Sequence, residues 1–187
     1  KAAGKARYAL FDASLHTEVA NRLRLEGDLR HAIEDGQLSV VYQPIYQLHS
    51  GVLSGFEALI RWNHPVRGLV PPADFIPLAE ETGDIVGIGR WVLEEACRQA
   101  VTWNERATVP LTMSVNVSAV QLHQRGYVDE VQQILESSGL PGHLLTIELT
   151  ESVLVDHDRV EGVLERLRAL GVGLALEPQD AGALAHQ

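Results

Sequence analysis

The sequence predicts an α/β fold in which a largely parallel sheet is covered by helices, either as a barrel or as a doubly wound sheet. From residue 111 onwards, strand-like and helix-like segments alternate in the order strand, helix, strand, helix, strand. The strand-like segments are nearly continuous apolar runs, which is typical of parallel strands buried on both faces. The first two strands are separated only by a short turn around His49, Ser50 and Gly51, so we expect them to be antiparallel neighbours.

The first segments of the chain predict a short strand followed by a helix. Residues 7–11 alternate as a strand does, and residues 14–34 form a helical pattern that ends at Gly36. The apolar stripe of this helix is formed by Leu15, Val19, Leu23, Leu29 and Ile33. Two interpretations stay open for this charged amphipathic helix: a surface helix of one domain, or a linker between two domains.

The remaining elements follow from periodicity and turn residues. Strands are predicted at 38–46 and 52–62, a loop at 63–72, and a short helical turn over 75–81 with Asp74 as its cap. Further helices are predicted at 85–104, 127–138 and 158–170, further strands at 111–117, 144–149 and 172–176, and a last short helix after Pro178. In the long helix, the residues expected to face inward are Ile88, Trp91, Val92, Ala96 and Val101.

Composition excludes several classes of function. The 187 residues are 45% hydrophobic, which is enough for one domain with a sizeable core. A net charge of −10 argues against general binding of a nucleic acid polymer or an anionic membrane, because both require a positive field. The single cysteine, Cys97, is expected in the core and fits a reducing compartment. Without a signal peptide or an apolar run near the roughly 18 residues of a membrane span, we expect a cytoplasmic protein without membrane insertion.

Oxygen-bearing side chains lie within or directly after the apolar strands, which is where α/β folds place their chemistry. Glu57, Asn116 and Glu148 lie in three successive strands, Glu151 follows the third of them, and Glu177 follows the last strand. A carboxylate in an apolar strand is costly unless it is paired or metal-bound. Each could pair with a backbone group or an arginine, but the set together indicates a site for Mg²⁺, Mn²⁺ or Ca²⁺.

Arg61 lies four residues after Glu57 and therefore projects from the same face of the strand. It could form an ion pair with Glu57 or bind a phosphate group, and both interpretations stay open. The eight histidines form no helical i, i+4 pair and are expected at the surface. The Asp156-His157-Asp158 stretch is expected to cap the following helix.

Five segments, in order and spacing, make the chain similar to the EAL domain family, which hydrolyses cyclic di-GMP to linear pGpG. These segments are Tyr42-Gln43-Pro44-Ile45, Phe56-Glu57-Ala58-Leu59-Ile60-Arg61-Trp62, residues 72–80, Val115-Asn116-Val117-Ser118 and Glu148-Leu149-Thr150-Glu151-Ser152. The resemblance covers residues 25–176 and implies a modified TIM (β/α)₈-type barrel whose first strand is antiparallel.

The resemblance also implies a set of roles. Glu57, Asn116 and Glu148 would be ligands of two divalent ions, Mg²⁺ or Mn²⁺, that activate a water for in-line attack on phosphorus. Glu57 would thereby be catalytic together with Glu151, which would hold the loop that shapes the metal site. The substrate, cyclic di-GMP, would be contacted by Gln43, Leu59 and Arg61.

Residues 4–12 resemble the last strand of a GGDEF domain. This implies a GGDEF remnant at 1–13, a linker helix at 14–36 and an EAL domain at 37–187, with a GGDEF or sensor domain upstream in the parent protein. A homodimer formed through the EAL domain is a further expectation.

The chain departs from the family after Leu176. The family has an Asp-Asp-Phe-Gly-Thr-Gly segment there, whereas this chain continues Glu177-Pro178-Gln179-Asp180. Glu177 could replace the first aspartate as a metal ligand, but Pro178 cannot replace the second. The tail fits the closing helix of the family better, which implies a deletion or gap near 176/177 and an incomplete barrel.

An incomplete barrel leaves a sheet edge open, so we expect low stability or pairing of that edge with another chain. Three functions are therefore weighed. The first is a metal-dependent cyclic di-GMP phosphodiesterase, and the second is an inactive module that binds cyclic di-GMP or a protein partner. A remnant that makes only structural contacts is the third.

Overall fold

The computed structural model of the chain describes residues 13–149 and 157–176, and side chains within 20–149 and 160–176. The helices are α1 (Ala13–His31), α2 (Pro72–Thr82), α3 (Ile85–Asn104), α4 (Ala119–Leu122), α5 (Tyr127–Ser138) and α6 (His157–Ala169), with a turn of 3₁₀ helix at Gly142–Leu144. The strands are β1 (Leu38–Tyr46), β2 (Leu53–His64), β3 (Gly68–Val70), β4 (Thr112–Val117), β5 (Leu145–Leu149) and β6 (Gly173–Leu176). The strand predicted at 7–11, the cap at Asp156 and the last short helix lie outside the described residues.

The described strands form one mixed sheet in the order β1-β2-β4-β5-β6, and β3 pairs with the end of β2. β1 and β2 are antiparallel, with Leu38 opposite Trp62 and Gln43 opposite Glu57. The pairs β2–β4, β4–β5 and β5–β6 are all parallel. The predicted α/β class and the antiparallel first pair are therefore confirmed.

The two faces of the sheet differ in composition because side chains alternate along each strand. On β4 and β5, the residues Val115, Val117, Leu145 and Ile147 are at most 3% exposed and belong to the apolar core. Helix α3 contributes Ile88, Val92, Ala96 and Cys97 to the same core, as predicted, whereas Trp91 and Val101 are only partly buried. We call the face that packs against the helices the outer face, and the opposite one the inner face.

Two predicted boundaries are wrong, both near the chain reversal after β2. The segment 63–72 was expected to be a loop, but β2 continues to His64 and β3 folds back on it, with Trp62 opposite Val70. Gly68 permits this tight return because its φ of 72° is accessible to glycine. Helix α2 begins at Pro72 rather than after Asp74, since proline is well suited to the first turn, so Asp74 is not its cap.

Helix α1 lies against α2 and the β2–β3 hairpin. Its last turns are apolar on one side, where Leu29 is 1% exposed, but Leu23 is 62% exposed and does not belong to the buried stripe. The reason is helix geometry: at 3.6 residues per turn, Leu23 lies about 120° around the helix from Leu29. Polar contacts also hold this part of the helix, since Arg22 pairs with Glu81 and Arg67 donates a hydrogen bond to the carbonyl of Asn21. The side chains of Leu15 and Val19 lie outside the described set.

Among the helices that the structure describes, none combines the length and the apolar character needed to cross a membrane. Within the same residues the sheet is open, and β1 and β6 form its two edges.

Candidate functional site

The strand registers bring three of the predicted site residues onto the inner face. Glu57 on β2 is opposite Ser114 on β4, and Asn116, two residues further along β4, is opposite Glu148 on β5. Residues that are paired across strands, or separated by two along a strand, point to the same face. Glu57, Asn116 and Glu148 therefore share the inner face, near the carboxyl ends of three adjacent strands.

Asn116 connects two of these strands through its side chain. Its Nδ2 atom donates a hydrogen bond to Oε1 of Glu57 at 2.8 Å. The Oδ1 atom of the same amide is buried, and no described residue gives it a hydrogen-bond donor. A buried amide oxygen is normally paired, so an oxygen left without a donor beside a carboxylate is what a cation ligand requires.

The candidate metal ligands among the described residues are two carboxylates and one amide, and each of them would bind a metal ion through oxygen. Glu148 is partly buried, lies opposite Asn116 and makes a polar interaction of its own. No group of three His, Cys, Asp or Glu side chains within 20–149 and 160–176 is close enough to hold a metal ion. The set nevertheless fits a hard divalent cation, because such ions accept amide oxygens and waters beside carboxylates. Glu151 and Glu177 lie outside the described residues.

Arg61 lies on the inner face, opposite Ser39 of β1. Its guanidinium is partly buried, and Nη1 donates a hydrogen bond to the carbonyl oxygen of Ile60 at 2.8 Å. Among the described carboxylates, none forms an ion pair with Arg61. The guanidinium therefore retains donors that could bind an anionic group.

Gln43 and Leu59 lie beside these residues on β1 and β2. Gln43 is exposed directly opposite Glu57, and Leu59 is half-buried opposite Val41. Together they place an amide and an apolar surface next to the polar side chains of the inner face, a combination that suits a planar ligand with polar edges.

Sequence reasoning missed a buried polar pair directly after Asn116. Ser118 and Gln121 are 7% and 5% exposed, and they cap the short helix α4 by two reciprocal hydrogen bonds. The spacing Ser-x-x-Gln is the signature of such a capping box and could have identified it.

The expectation that the histidines lie at the surface is wrong for His64, which is 6% exposed. Its Nδ1 accepts hydrogen bonds from the backbone N–H groups of Val66 and Arg67, at 3.1 and 3.2 Å. Nε2 therefore carries the proton and donates to Oδ2 of Asp28 at 3.0 Å, which ties α1 to the β2–β3 hairpin. Cys97 is buried as predicted, and burial raises the pKa of its thiol to about 12.

Known proteins match both the sequence and the fold. Residues 26–185 match the model of the EAL domain family. The chain is 42% identical over 181 residues to the bifunctional diguanylate cyclase/cyclic di-GMP phosphodiesterase MucR of Pseudomonas aeruginosa, covering 96% of this chain and 26% of that protein. It is 40% identical over 176 residues to the oxygen sensor protein DosP of Escherichia coli, covering 94% of this chain and 22% of that protein. The chain thus spans about a quarter of the length of these relatives.

A solved structure gives the same result for the fold. The PaMucR phosphodiesterase, solved as a c-di-GMP complex, superimposes with a TM-score of 0.79 at 43% identity. The match covers 85% of this chain and 64% of that one, so the α/β fold with its mixed sheet is the TIM-barrel-like fold of EAL structures. With the family model matched over 160 residues (26–185), the chain belongs to the EAL domain family.

Proposed function

We propose that the chain binds cyclic di-GMP and hydrolyses it to linear pGpG with the help of divalent metal ions. The observation that carries the proposal is the Glu57–Asn116 pair on the inner face, whose amide oxygen has no donor among the described residues. The names of two relatives support the substrate: MucR, and the cyclic di-GMP phosphodiesterase NbdA of Pseudomonas aeruginosa, which is 39% identical over 183 residues.

Glu57, Asn116 and Glu148 would hold the metal, which we expect to be Mg²⁺ or Mn²⁺. When bound, such ions supply Lewis-acid activation of a water for attack on phosphorus. The chain's own residues orient the ligands. Asn116 holds the carboxylate of Glu57 through its Nδ2 atom, and the Oδ1 atom of Asn116 is thereby left for the metal. Glu151 is proposed to hold the loop beside the site, and Glu177 to add a further ligand.

Arg61, Gln43 and Leu59 would contact the substrate. The Arg61 guanidinium supplies positive charge on a protein whose net charge is −10, and it would bind a phosphate group of the dinucleotide. Gln43 offers both a donor and an acceptor to a base edge, while Leu59 offers apolar surface. The acidic composition is then compatible with an anionic ligand, because part of the negative charge belongs to a cation site.

A second candidate is an EAL module that binds cyclic di-GMP, or a protein partner, without cleaving the nucleotide. The observation in its favour is the sequence after β6, which continues with Glu177-Pro178 rather than with the two aspartates of the family. Loss of one ligand group would weaken metal binding while leaving Arg61, Gln43 and Leu59 available to the nucleotide.

We further propose that the catalytic part is joined to regulatory domains in the cytoplasm. Residues 1–13 would be the end of a GGDEF domain, 14–36 a linker helix and 37–187 the EAL domain. The name of MucR, a bifunctional diguanylate cyclase and phosphodiesterase, supports this arrangement. A homodimer through the EAL domain remains part of the proposal.

The test is to incubate the purified chain with cyclic di-GMP and Mn²⁺ and to measure both nucleotide binding and pGpG formation. We expect pGpG from the unaltered chain and none from Glu57→Gln, which keeps the acceptor for Asn116 but removes the charge. Glu94→Gln on the exposed face of α3 is the matched control and should leave the rate unchanged.

The outcomes separate the candidates. Binding without product would support the second candidate, and product formation that survives Glu57→Gln would contradict the proposed site. The absence of both nucleotide binding and product would contradict the phosphodiesterase and the cyclic di-GMP-binding module, and would support a remnant that makes only protein contacts.

A further inference from the structure

Strand β4 is followed directly by a very short helix, α4, which contacts α3. β4 ends at Val117, one residue after Asn116, and α4 consists of only the four residues Ala119–Leu122. A helix of one turn has almost no stability of its own. Its position, and with it the path of the chain after Asn116, must be held by side chains.

The capping box supplies two of the contacts that hold it. The Ser118 backbone N–H donates to Oε1 of Gln121 at 3.1 Å, and the Gln121 backbone N–H donates to Oγ of Ser118 at 3.4 Å. Both side chains are buried, so water cannot replace either bond when it is lost.

The third contact comes from helix α3. The Gln121 amide packs on Gly89, where an added Cβ atom would come within 2.0 Å of Nε2 and 2.6 Å of Cδ. Any residue other than glycine at 89 would therefore displace the Gln121 side chain from its place beside Ser118. Gly89 is neither in a turn nor at positive φ, so among the described residues the close approach of Gln121 is what accounts for glycine there.

We propose that Ser118, Gln121 and Gly89 are positioning residues for Asn116. They hold the backbone two residues after Asn116, and thereby keep its Nδ2 on Glu57 and its Oδ1 directed to the cation. The inference rests on the proposed function, in which Asn116 is a metal ligand. Residues that orient a ligand in this way typically change metal affinity by about 10- to 100-fold when they are removed.

The opposite end of the same strand provides a matched control. Asn104 receives a hydrogen bond from the Leu111 backbone N–H and donates to the carbonyls of Ala100 and Leu111, all at 2.9 Å. This amide holds the chain where it enters β4, as Gln121 does where the chain leaves it. Asn104→Ala should therefore destabilise the protein in a similar way without reaching Asn116.

The experiment measures Mn²⁺ affinity by electron paramagnetic resonance, together with the melting temperature without metal. We expect Gln121→Ala, Ser118→Ala and Gly89→Ala each to weaken Mn²⁺ binding by about tenfold or more. Ser118→Thr, which keeps the hydroxyl, should retain most of the Mn²⁺ affinity. Asn104→Ala should leave the affinity unchanged, even if it lowers the melting temperature as much as the other variants do.

A second readout does not depend on the metal. The side-chain amide signal of Asn116 in a ¹H–¹⁵N spectrum can be identified by its loss in Asn116→Asp. We expect Gln121→Ala and Gly89→Ala to shift or broaden that signal in the metal-free protein, and Asn104→Ala to leave it in place.

The two readouts distinguish failure of this inference from failure of the proposed function. An unaltered chain that does not bind Mn²⁺ contradicts the proposed function, while the amide signal still decides whether Gln121 positions Asn116. Folded Gln121→Ala and Gly89→Ala variants with normal Mn²⁺ affinity and an unshifted Asn116 signal would overturn the inference.

Discussion

The outer and inner faces of the sheet are built from the same strands but from alternate residues. On β4, Val115 is 1% exposed in the core, and the next residue, Asn116, joins Glu57 on the other face. On β5, Ile147 is completely buried, and the next residue, Glu148, lies opposite Asn116. One-residue steps therefore separate the groups that stabilise the fold from the groups proposed to perform chemistry.

This separation has a consequence for mutation. A substitution on the outer face should change the free energy of unfolding and leave the site's affinity for metal and nucleotide intact. A substitution on the inner face should do the reverse, because polar residues held beside one another in a site add little to stability and can reduce it. Paired variants on the two faces test this rule.

The largest effect is expected from Ile147→Ala on the outer face. The side chain is fully buried in the core, so its removal creates a cavity and should lower the free energy of unfolding by about 2–5 kcal/mol. Urea denaturation measures it. Thr146→Ala, one residue earlier and half-buried on the inner face, is the control and should cost less than about 1 kcal/mol. Equal losses from both variants would mean that the inner face is covered as completely as the outer one.

The next effect is expected from Asn116→Ala. Removing a direct ligand should lower kcat/KM for cyclic di-GMP, and the affinity for Mn²⁺, by about 100-fold, the upper end of the range for residues that act only through a ligand. The free energy of unfolding should change little, because the lost hydrogen bond belongs to a partly buried pair. A destabilisation as large as that of Ile147→Ala, with unchanged kinetics, would contradict the division between the faces.

Most of the outer face could be predicted from the sequence. β1, α3 and α5 have the predicted bounds, because their apolar periods are long and turn residues such as Gly139 end them clearly. The three-residue strand β3 could not be predicted, since it is too short to show a period and depends on pairing with β2. The burial of His64 also depends on tertiary pairing and could not be predicted. Its partners, the hairpin backbone and Asp28, come together only in the folded chain.

The inner face could be predicted in part. Alternation and strand order indicate that Glu57, Asn116 and Glu148 share a face, but the hydrogen bond from Asn116 to Glu57 depends on the stagger between β2 and β4. That stagger is determined by packing, as where Gly55 leaves room for Thr112, and no local pattern records it. The roles of Glu151 and Glu177 stay predictions, because both lie outside the described residues.

A smaller effect is expected at Cys97, which lies on α3 and is buried in the apolar core between α3 and the outer face of the sheet. Burial raises the pKa of the Cys97 thiol from 9.0 to about 12, so the folded protein keeps the thiol protonated where the unfolded chain ionises it. The contribution of this thiol to stability should therefore be constant below pH 9 and decline above it, by up to about 1.4 kcal/mol per pH unit. Urea denaturation between pH 8 and 10.5 measures the slope.

The control for this decline is Cys97→Ala. It should be less stable at every pH because of the cavity, but its stability should fall less steeply above pH 9. Part of the slope should remain, since burial also raises the pKa of Tyr42 to about 12. An unchanged slope in Cys97→Ala would show that the thiol is not buried in the apolar core.

The smallest effect is expected where two identical residues lie next to each other on β1. Val40 packs against the core on the outer face, while Val41 is 42% exposed on the inner face opposite Leu59. Val40→Ala should lower the free energy of unfolding by about 1 kcal/mol, since about 0.8 kcal/mol is lost per buried CH₂ group. Val41→Ala should cost less than about 0.5 kcal/mol. Because the two substitutions are chemically the same and share one strand, a larger cost at Val41 could arise only if another segment or another chain covers the inner face.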